Sequence, residues 1–354
     1  MLQAGVAEPE TSRLVHGLVV QRDVGAAAGA QHADEAGGLQ RSKTPVPPHR
    51  VGIISNSRAH RNHVNGEEPV TDSPQVKGVL YRSPRSLPEL SRTLEEFAEA
   101  GIELLIVCGG DGTLRDVITC ASTAFADGMP RLALIPTGKT NALALDLDIP
   151  LNWKIADALA AAEAGHIRCR SPIEIFRPGS ELPDLRGFLF GAGAFVRATG
   201  LAQRTHQAGA FSSLAVGLSV GWALAQTAFG GSSNVWRSGD RMKITAPGVD
   251  VDRDFYLLCG STMRRLPLRL KPFGKPRDGL KVLAVDAPPR RLPIAAPALL
   301  AGSEASWLER LGYHRGQADE FTLSMEGGFI LDGELYAGGD VTIRRGKELE
   351  FLVP

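Results

Sequence analysis

The sequence lacks an excess of charge of either sign. Lysine plus arginine and aspartate plus glutamate each number 39, so the formal net charge is zero at pH 7. A nucleic-acid-binding protein usually attracts its partner with a basic surplus, and nothing of that kind is present here. We therefore expect no nucleic-acid partner, and any anion must be met by a local group of residues.

Paired cysteines and long apolar runs are also missing. The four cysteines form no CxxC pair and have no histidines at zinc-site spacing, so we expect reduced, mostly buried thiols in a cytoplasmic protein. No segment offers the roughly 18 consecutive apolar residues of a membrane span. Residues 1–13 contain Glu8 and Glu10 where a signal peptide would have a basic start and an apolar core. The prediction is a soluble or peripheral protein.

A chain of 354 residues is long enough for two domains. Residues 1–48 show no sustained period and are interpreted as a disordered tail or an over-extended start of the gene. Strands alternate with helices over residues 49–170, which predicts a doubly wound α/β domain with a parallel sheet. Short strands separated by Gly, Pro and Asp turns over residues 171–354 predict a mainly antiparallel β-sandwich domain. The last strand is free to return to the first domain.

The most informative stretch is a wholly apolar strand, Leu104–Cys108, that breaks into Gly109-Gly110-Asp111-Gly112-Thr113 just before a helical pattern. Glycines let backbone N–H groups approach an anion closely, and a helix N-terminus adds partial positive charge. This layout indicates a phosphate-binding turn. The alternative is a tight strand-to-helix turn with no ligand.

Two further motifs follow. Pro136-x-Gly138-x-x-Asn141 again places proline and glycine at a strand end, and both glycine turns are expected to face one crevice beyond the strand carboxyl ends. Near the end of the chain, Leu331-Asp332-Gly333-Glu334 taken alone is typical of a hairpin turn with two solvated carboxylates.

These three motifs, in this order, resemble the diacylglycerol kinase catalytic superfamily, which includes bacterial lipid kinases, sphingosine kinases and ceramide kinases. Gly109 to Thr113 matches the family's GGDGT loop, Pro136, Gly138 and Asn141 match its PxGTxN motif, and Asp332 to Glu334 match its DGE motif. The resemblance covers about residues 50–354.

The resemblance implies an ATP-dependent lipid kinase that uses Mg²⁺. It implies that Asp332 is the general base and that Glu334 orients it or helps to hold the metal, with Asp278 as a further metal ligand. The nucleotide-binding residues that it implies are Asn56, Gly109, Gly110, Asp111, Gly112, Thr113, Gly138, Lys139, Thr140 and Asn141.

Some positions depart from the family pattern. Lys139 stands where the family has threonine, Asp116 stands where it usually has glutamate, and no aspartate lies near Phe195. Two alternatives therefore stay open. One is phosphorylation of a soluble nucleotide in the manner of the related NAD kinases, and the other is a lipid-binding or regulatory homologue without catalysis.

A lipid substrate would be diacylglycerol, ceramide or another sphingoid lipid. The stretch from Thr205 to Trp236 contains no Asp, Glu, Lys or Arg, and is either a core segment or a surface for acyl chains. Basic residues from Arg264 to Lys281 form either a solvated face or a patch for anionic lipid. We therefore expect a cytoplasmic protein with transient contact at the inner face of the membrane, with homodimerisation left open.

Overall fold

The computed structural model of the chain describes residues 40–41, 50–56, 79–126, 128–198, 238–275 and 279–354. Most of the predicted tail, the uncharged stretch from Thr205 to Trp236, Arg277 and the expected metal ligand Asp278 lie outside these described residues. The described residues divide into two compact units. An α/β unit holds those up to Phe188 together with Met263–Arg269 and Gly346–Pro354, and a β unit holds Leu189–Thr262 and Leu270–Arg345.

The α/β unit is built on one seven-stranded sheet. Its order is β1-β6-β18-β5-β4-β2-β3, and β2 to β5 run parallel to their neighbours. β18 pairs in parallel with β5 and antiparallel with β6. The strands are β1 (Gln40–Arg41), β2 (Val51–Ser55), β3 (Val79–Arg82), β4 (Leu104–Gly109), β5 (Arg131–Pro136), β6 (His166–Arg170) and β18 (Leu349–Leu352).

Helices follow strands β3, β4 and β5 along the chain. They are α1 (Leu87–Glu99), α2 (Asp111–Ala124), α3 (Ala142–Asp146) and α4 (Ile155–Ala164). Ser86 caps the start of α1, because its side chain accepts a hydrogen bond from the backbone N–H of Glu89 at 3.4 Å. α4 ends at Gly165, whose φ of 72° is the left-handed conformation that closes many helices.

The compact α/β unit also includes described residues after residue 170. A hairpin of β7 (Ile173–Phe176) and β8 (Leu185–Gly187) belongs to it, and β8 packs against α2. The short 3₁₀ turn Pro267–Arg269 also belongs to this unit. It is anchored by the Asp146 carboxylate, which accepts a hydrogen bond from the Arg265 N–H at 2.7 Å. The division at residue 170 stays a prediction.

The β unit is antiparallel throughout its described pairings. β9, β10 and β12 all pair with the long strand β11, and β13, β14, β15, β16 and β17 extend the sheet. Its strands are β9 (Leu189–Gly193), β10 (Asp240–Ala246), β11 (Val249–Ser261), β12 (Leu280–Asp286), β13 (Tyr313–Ala318), β14 (Glu320–Met325), β15 (Phe329–Leu331), β16 (Glu334–Tyr336) and β17 (Gly339–Arg345). Two helices that the sequence reasoning missed, α5 (Leu292–Leu300) and α6 (Ser306–Arg310), lie between β12 and β13.

The predicted fold class is confirmed in its main terms, with a parallel-sheet α/β part and an antiparallel β-rich part. The doubly wound arrangement and the sandwich stay predictions. Among the described residues, no helix is long and apolar enough to cross a membrane. Lys281 does not belong to the predicted basic patch, because it lies on β12 and is only 3% exposed.

Candidate functional site in the α/β unit

The two glycine turns of the α/β unit touch each other through their backbones. β4 ends at Gly109 and α2 begins at Asp111, so Gly110 is the residue before the helix. A Cβ atom on Gly138 would lie 2.5 Å from the Gly110 Cα, and one on Gly110 would lie 2.9 Å from the Gly138 Cα. Only glycine at both positions permits this approach, so the sequence brings the two motifs together at the strand ends.

Asn141 closes the second turn on itself. Its side-chain oxygen accepts from the Gly138 N–H at 3.0 Å, and its amide group donates to the Gly138 carbonyl at 2.8 Å. Asn141 is 2% exposed and has a φ of 50°, a left-handed conformation that asparagine tolerates better than most residues. The motif therefore requires asparagine for its backbone shape and for both of these hydrogen bonds.

Asp111 links the first turn to the second. One carboxylate oxygen accepts from the Ala142 N–H at 2.9 Å, and the other accepts from the Leu143 N–H at 3.1 Å. These N–H groups open the short helix α3, whose first turn would otherwise leave them unpaired. In this structure Asp111 shapes the loop by fixing α3 against the GGDGT turn.

Asn56 lies at the end of the neighbouring strand β2. Its side-chain amide donates to Thr113 Oγ1 at 2.8 Å, and its backbone N–H donates to the Cys108 carbonyl at 3.0 Å. Beside this pair is a cavity of about 290 Å³ in which polar side chains meet an apolar wall. It is lined by Ile54, Ser55, Asn56, Pro84, Arg85, Ser86, Leu87, Leu90, Thr113, Asp116 and Val117.

Thr137 was not predicted as a site residue. Its backbone N–H donates to the Gly109 carbonyl at 3.1 Å, which ties the ends of β4 and β5 together. Its hydroxyl oxygen is buried and finds no hydrogen-bond partner among the described residues. A buried hydroxyl without a partner is costly, so it is a donor that an anion in this loop would satisfy. Lys139 and Thr140, on the same loop, are exposed.

Sequence reasoning missed the cavity wall as well as Thr137. Pro84, Arg85 and Leu87 follow β3 and match no motif, so their only signal is that they follow a parallel strand. Asp116, noted as a departure from the family pattern, lines the cavity and pairs with Arg115 at 2.7 Å. Thr137 could have been found as the residue between Pro136 and Gly138.

Burial keeps two of the cysteine thiols protonated. Cys108 ends the buried part of β4 directly before Gly109, and burial raises the pKa of its thiol to about 12. Burial raises the pKa of Cys259 on β11 to about 12 as well. Both thiols stay protonated near neutral pH, and a thiol reacts as its thiolate.

Asp332 and Glu334 lie in the β unit, in the hairpin that joins β15 to β16. Asp332 and Gly333 both have positive φ, 46° and 85°, as a tight two-residue turn requires. The Asp332 carboxylate accepts from the Leu189 N–H at 2.9 Å, and the Asp332 N–H donates to the Leu189 carbonyl at 2.9 Å. Asp332 is therefore held in one position by β9, while Glu334 is exposed.

No metal cage is present in the described part of the chain, where no three His, Cys, Asp or Glu side chains gather. Asp278 lies outside that part, and Glu334 stands without a second acidic ligand grouped with it.

Comparison with known proteins finds a catalytic-domain model that resembles part of this chain. The model of the diacylglycerol kinase catalytic domain matches residues 55–173. Proteins named "Probable lipid kinase YegS-like" from Yersinia pestis and Yersinia pseudotuberculosis are 36% identical over 77 residues, which is 22% of this chain and 25% of theirs. The match thus spans about a quarter of the length of these curated relatives.

Solved structures agree in fold over most of the chain. A diacylglycerol kinase structure from Bacillus anthracis has a TM-score of 0.58 and 18% identity, covering 87% of this chain and 98% of that one. Another structure from the same organism has a TM-score of 0.60 and 17% identity with the same coverage. At such identity the likeness concerns the fold alone. Residues 55–173 are thus similar to the catalytic domain of diacylglycerol kinases.

Proposed function

We propose that this protein is an ATP-dependent lipid kinase that phosphorylates the hydroxyl group of diacylglycerol, ceramide or another sphingoid lipid. The observation that carries the proposal is the backbone contact between Gly110 and Gly138 at the carboxyl ends of β4 and β5. This contact joins the start of α2 to the turn that carries the buried Thr137 hydroxyl, and both features would favour a bound anion.

We propose that the nucleotide binds at these same residues. Gly109 to Thr113 and Gly138 to Asn141 would hold the phosphates, with Lys139 adding a cation from the second turn. Asn56 and the cavity beside it would accept the rest of the nucleotide. When bound, ATP with Mg²⁺ supplies the phosphoryl group that is transferred.

The chain's contribution to catalysis is assigned to the β15–β16 hairpin. Phosphoryl transfer passes through a loose transition state, in which positioning matters most and a carboxylate accepts the proton of the attacking hydroxyl. We propose that Asp332 accepts this proton. Its carboxylate is already oriented by the hydrogen bond from the Leu189 N–H. Glu334 is assigned to orienting Asp332 or holding Mg²⁺, and Asp278 to a second metal contact.

A lipid substrate also sets where the protein works. Since the acceptor hydroxyl lies in a membrane, we propose transient contact with the inner face of the cytoplasmic membrane by a cytoplasmic protein. We leave homodimerisation open, and a measurement of the oligomeric state would decide it.

The test is a kinase assay with radiolabelled ATP, Mg²⁺ and a lipid panel of diacylglycerol, ceramide and sphingosine, with NAD as a soluble acceptor. We expect a labelled lipid. In Asp332→Asn, the amide oxygen keeps the hydrogen bond from Leu189 but cannot take a proton, so kcat should fall by about 10²–10⁴. The KM for ATP should stay unchanged.

The matched control is Asp319→Asn, a turn aspartate of the same unit that is 68% exposed and weakly paired with Arg345 at 4.0 Å. It should keep full activity. Labelled NADP would instead support the nucleotide-kinase alternative. Absence of product above the Asp332→Asn background would support the non-catalytic alternative, and full activity of Asp332→Asn would overturn the assignment of the base.

A further inference from the structure

The helix α5 of the β unit has no polar side chain, although only one of its faces is buried. Its sequence is LPIAAPALL, and Leu292, Ala295 and Leu299 face the interior. Pro293, Ile294 and Pro297 are exposed, and Ile294 is 66% exposed. The outer face of a surface helix is ordinarily charged or polar, so this apolar outer face calls for an explanation.

The structure fixes α5 firmly in this orientation. The Arg315 guanidinium, on β13, donates to the Leu299 carbonyl at 2.9 Å and to the Pro272 carbonyl at 2.7 Å, and it also donates to the Ser303 carbonyl. At the other end, the Tyr313 hydroxyl donates to the Arg290 carbonyl at 2.8 Å. These hydrogen bonds hold both ends of α5, so the apolar face keeps a defined orientation on the β unit.

Basic residues stand at both ends of this helix. Arg290 and Arg291 precede it and are exposed. At its end, the Lys271 N–H donates to the Leu300 carbonyl at 2.8 Å, and Lys271 and Lys275 are exposed. One acidic residue, Glu304, lies at that end and accepts from the Lys275 N–H at 3.1 Å. The nearby helix α6 carries Glu309 and Arg310, whose opposite charges add no net charge.

We propose that the outer face of α5, with Arg290, Arg291, Lys271 and Lys275, docks on a bilayer that contains anionic phospholipid. The inference rests on the proposed function, because a kinase of membrane lipids must meet its substrate at such a surface. Ile294 and its apolar neighbours enter the interface between headgroups and acyl chains, and the basic side chains contact the headgroups.

The charges favour a bilayer over a second copy of the chain. A two-fold dimer through α5 would set the basic ends of one helix against the basic ends of the other. The exposed acidic residues near these ends, Glu304 and Asp254, are fewer than the four exposed basic residues. Such like-charge contacts oppose association. An anionic lipid surface has the complementary charge across the whole patch.

The test measures binding of the full chain to vesicles by flotation, with vesicles of phosphatidylcholine alone or mixed with phosphatidylglycerol. We expect binding to the mixed vesicles that weakens as NaCl is raised. Ile294→Asp should lower the partition coefficient at least tenfold, and each of Arg290→Gln and Arg291→Gln should lower it roughly fivefold. These side chains are exposed, so folding should be unaffected.

Controls match both kinds of change. Leu182→Asp replaces a leucine that is 54% exposed in the β7–β8 connection, and Lys347→Gln removes an exposed charge after β17. Both variants should bind as the unmodified protein does. Failure of the unmodified protein to bind mixed vesicles, or unchanged binding by Ile294→Asp, would overturn the proposal. So would a dimer that Ile294→Asp converts to monomer while vesicle binding persists.

The kinase assay separates this inference from the proposed function. With lipid dispersed in detergent, Ile294→Asp should phosphorylate as the unmodified protein does, while Asp332→Asn should lose activity and still float with vesicles. If no lipid is phosphorylated by any form, the proposed function fails, and the vesicle measurement still decides the role of α5.

Discussion

At the scale of single residues, the three glycines of GGDGT are not equivalent. Gly110 has the Gly138 backbone 2.9 Å from where its Cβ would lie, and backbone cannot move aside as a flexible side chain does. A Cβ on Gly112 would meet nothing nearer than the Arg115 guanidinium at 3.9 Å, and Gly112 lies in the first turn of α2. Gly110 is thus required for the contact between the two turns, and Gly112 is not.

We expect Gly110→Ala and Gly138→Ala to separate the two turns and weaken ATP binding at least tenfold, because the phosphate site depends on their contact. Gly112→Ala should keep the fold and add about 0.5–1 kcal/mol of stability, since alanine favours a helix. Isothermal titration calorimetry with a non-hydrolysable ATP analogue measures the affinity, and thermal unfolding measures the stability. Equal ATP affinity in Gly110→Ala and Gly112→Ala would contradict this view of the site.

Residue identity predicted much of this site and missed part of it. GGDGT and PxGxxN name the residues that the structure joins at the ends of β4 and β5, because a glycine pair and a left-handed asparagine have few substitutes. Arg85 and Leu87 line the cavity beside Asn56, yet arginine and leucine after a strand are ordinary in any protein. Their role depends on which strand lies next to which, and that information is tertiary.

At the scale of elements, the alternation of strand and helix predicted β2 to β5 because apolar runs and caps are local signals. α5 was not predicted, because its sequence carries no such local signal. A nine-residue run without polar residues and with two prolines has no amphipathic period. Its helical form depends on burial of Leu292, Ala295 and Leu299 and on Arg315, which is distant in sequence.

Arg315 provides a test of how α5 is held. We expect Arg315→Lys to lower the free energy of unfolding by about 2 kcal/mol, because an ammonium group cannot reach three carbonyls in the planar geometry of a guanidinium. Urea unfolding measures this difference. Arg310→Lys on α6 keeps an exposed charge in place and should stay within about 0.5 kcal/mol of the unmodified protein.

A loss of the same size in both variants would mean that Arg315 contributes charge and not geometry. Arg315→Lys should also weaken vesicle binding if α5 must be held rigidly to dock. The two measurements therefore link the stability of this helix to its proposed surface role.

At the scale of the whole molecule, the chain leaves the α/β unit after Phe188 and returns to it twice, at Met263–Arg269 and at Gly346–Pro354. The second return supplies β18, which lies between β5 and β6 inside the sheet. A segment such as Leu-Glu-Phe-Leu fits any sheet, so the sequence could not specify this position. The family match, residues 55–173, does not contain β18.

The α/β unit should therefore depend on the last residues of the chain. Phe351 on β18 is fully buried and packs edge-on against Phe188 with ring centroids 6.2 Å apart, so Phe351→Ala should cost about 3–5 kcal/mol of unfolding free energy. Glu350, the adjacent residue, is an exposed partner of Arg131 at 3.4 Å, and Glu350→Ala should cost less than about 1 kcal/mol. Urea unfolding followed by tryptophan fluorescence, to which the buried Trp153 contributes, compares the two.

Removal of residues 346–354 extends this test to nucleotide binding. Without β18, the edges of β5 and β6 lose their partner and Leu132, which pairs with Phe351, is left uncovered. We expect the shortened chain to lose ATP binding, although every nucleotide-site residue is still present, and a peptide of residues 346–354 to restore part of it. ATP affinity equal to that of the full chain would show that the GGDGT and PxGxxN turns form without β18, and that the α/β unit is independent of the chain's return.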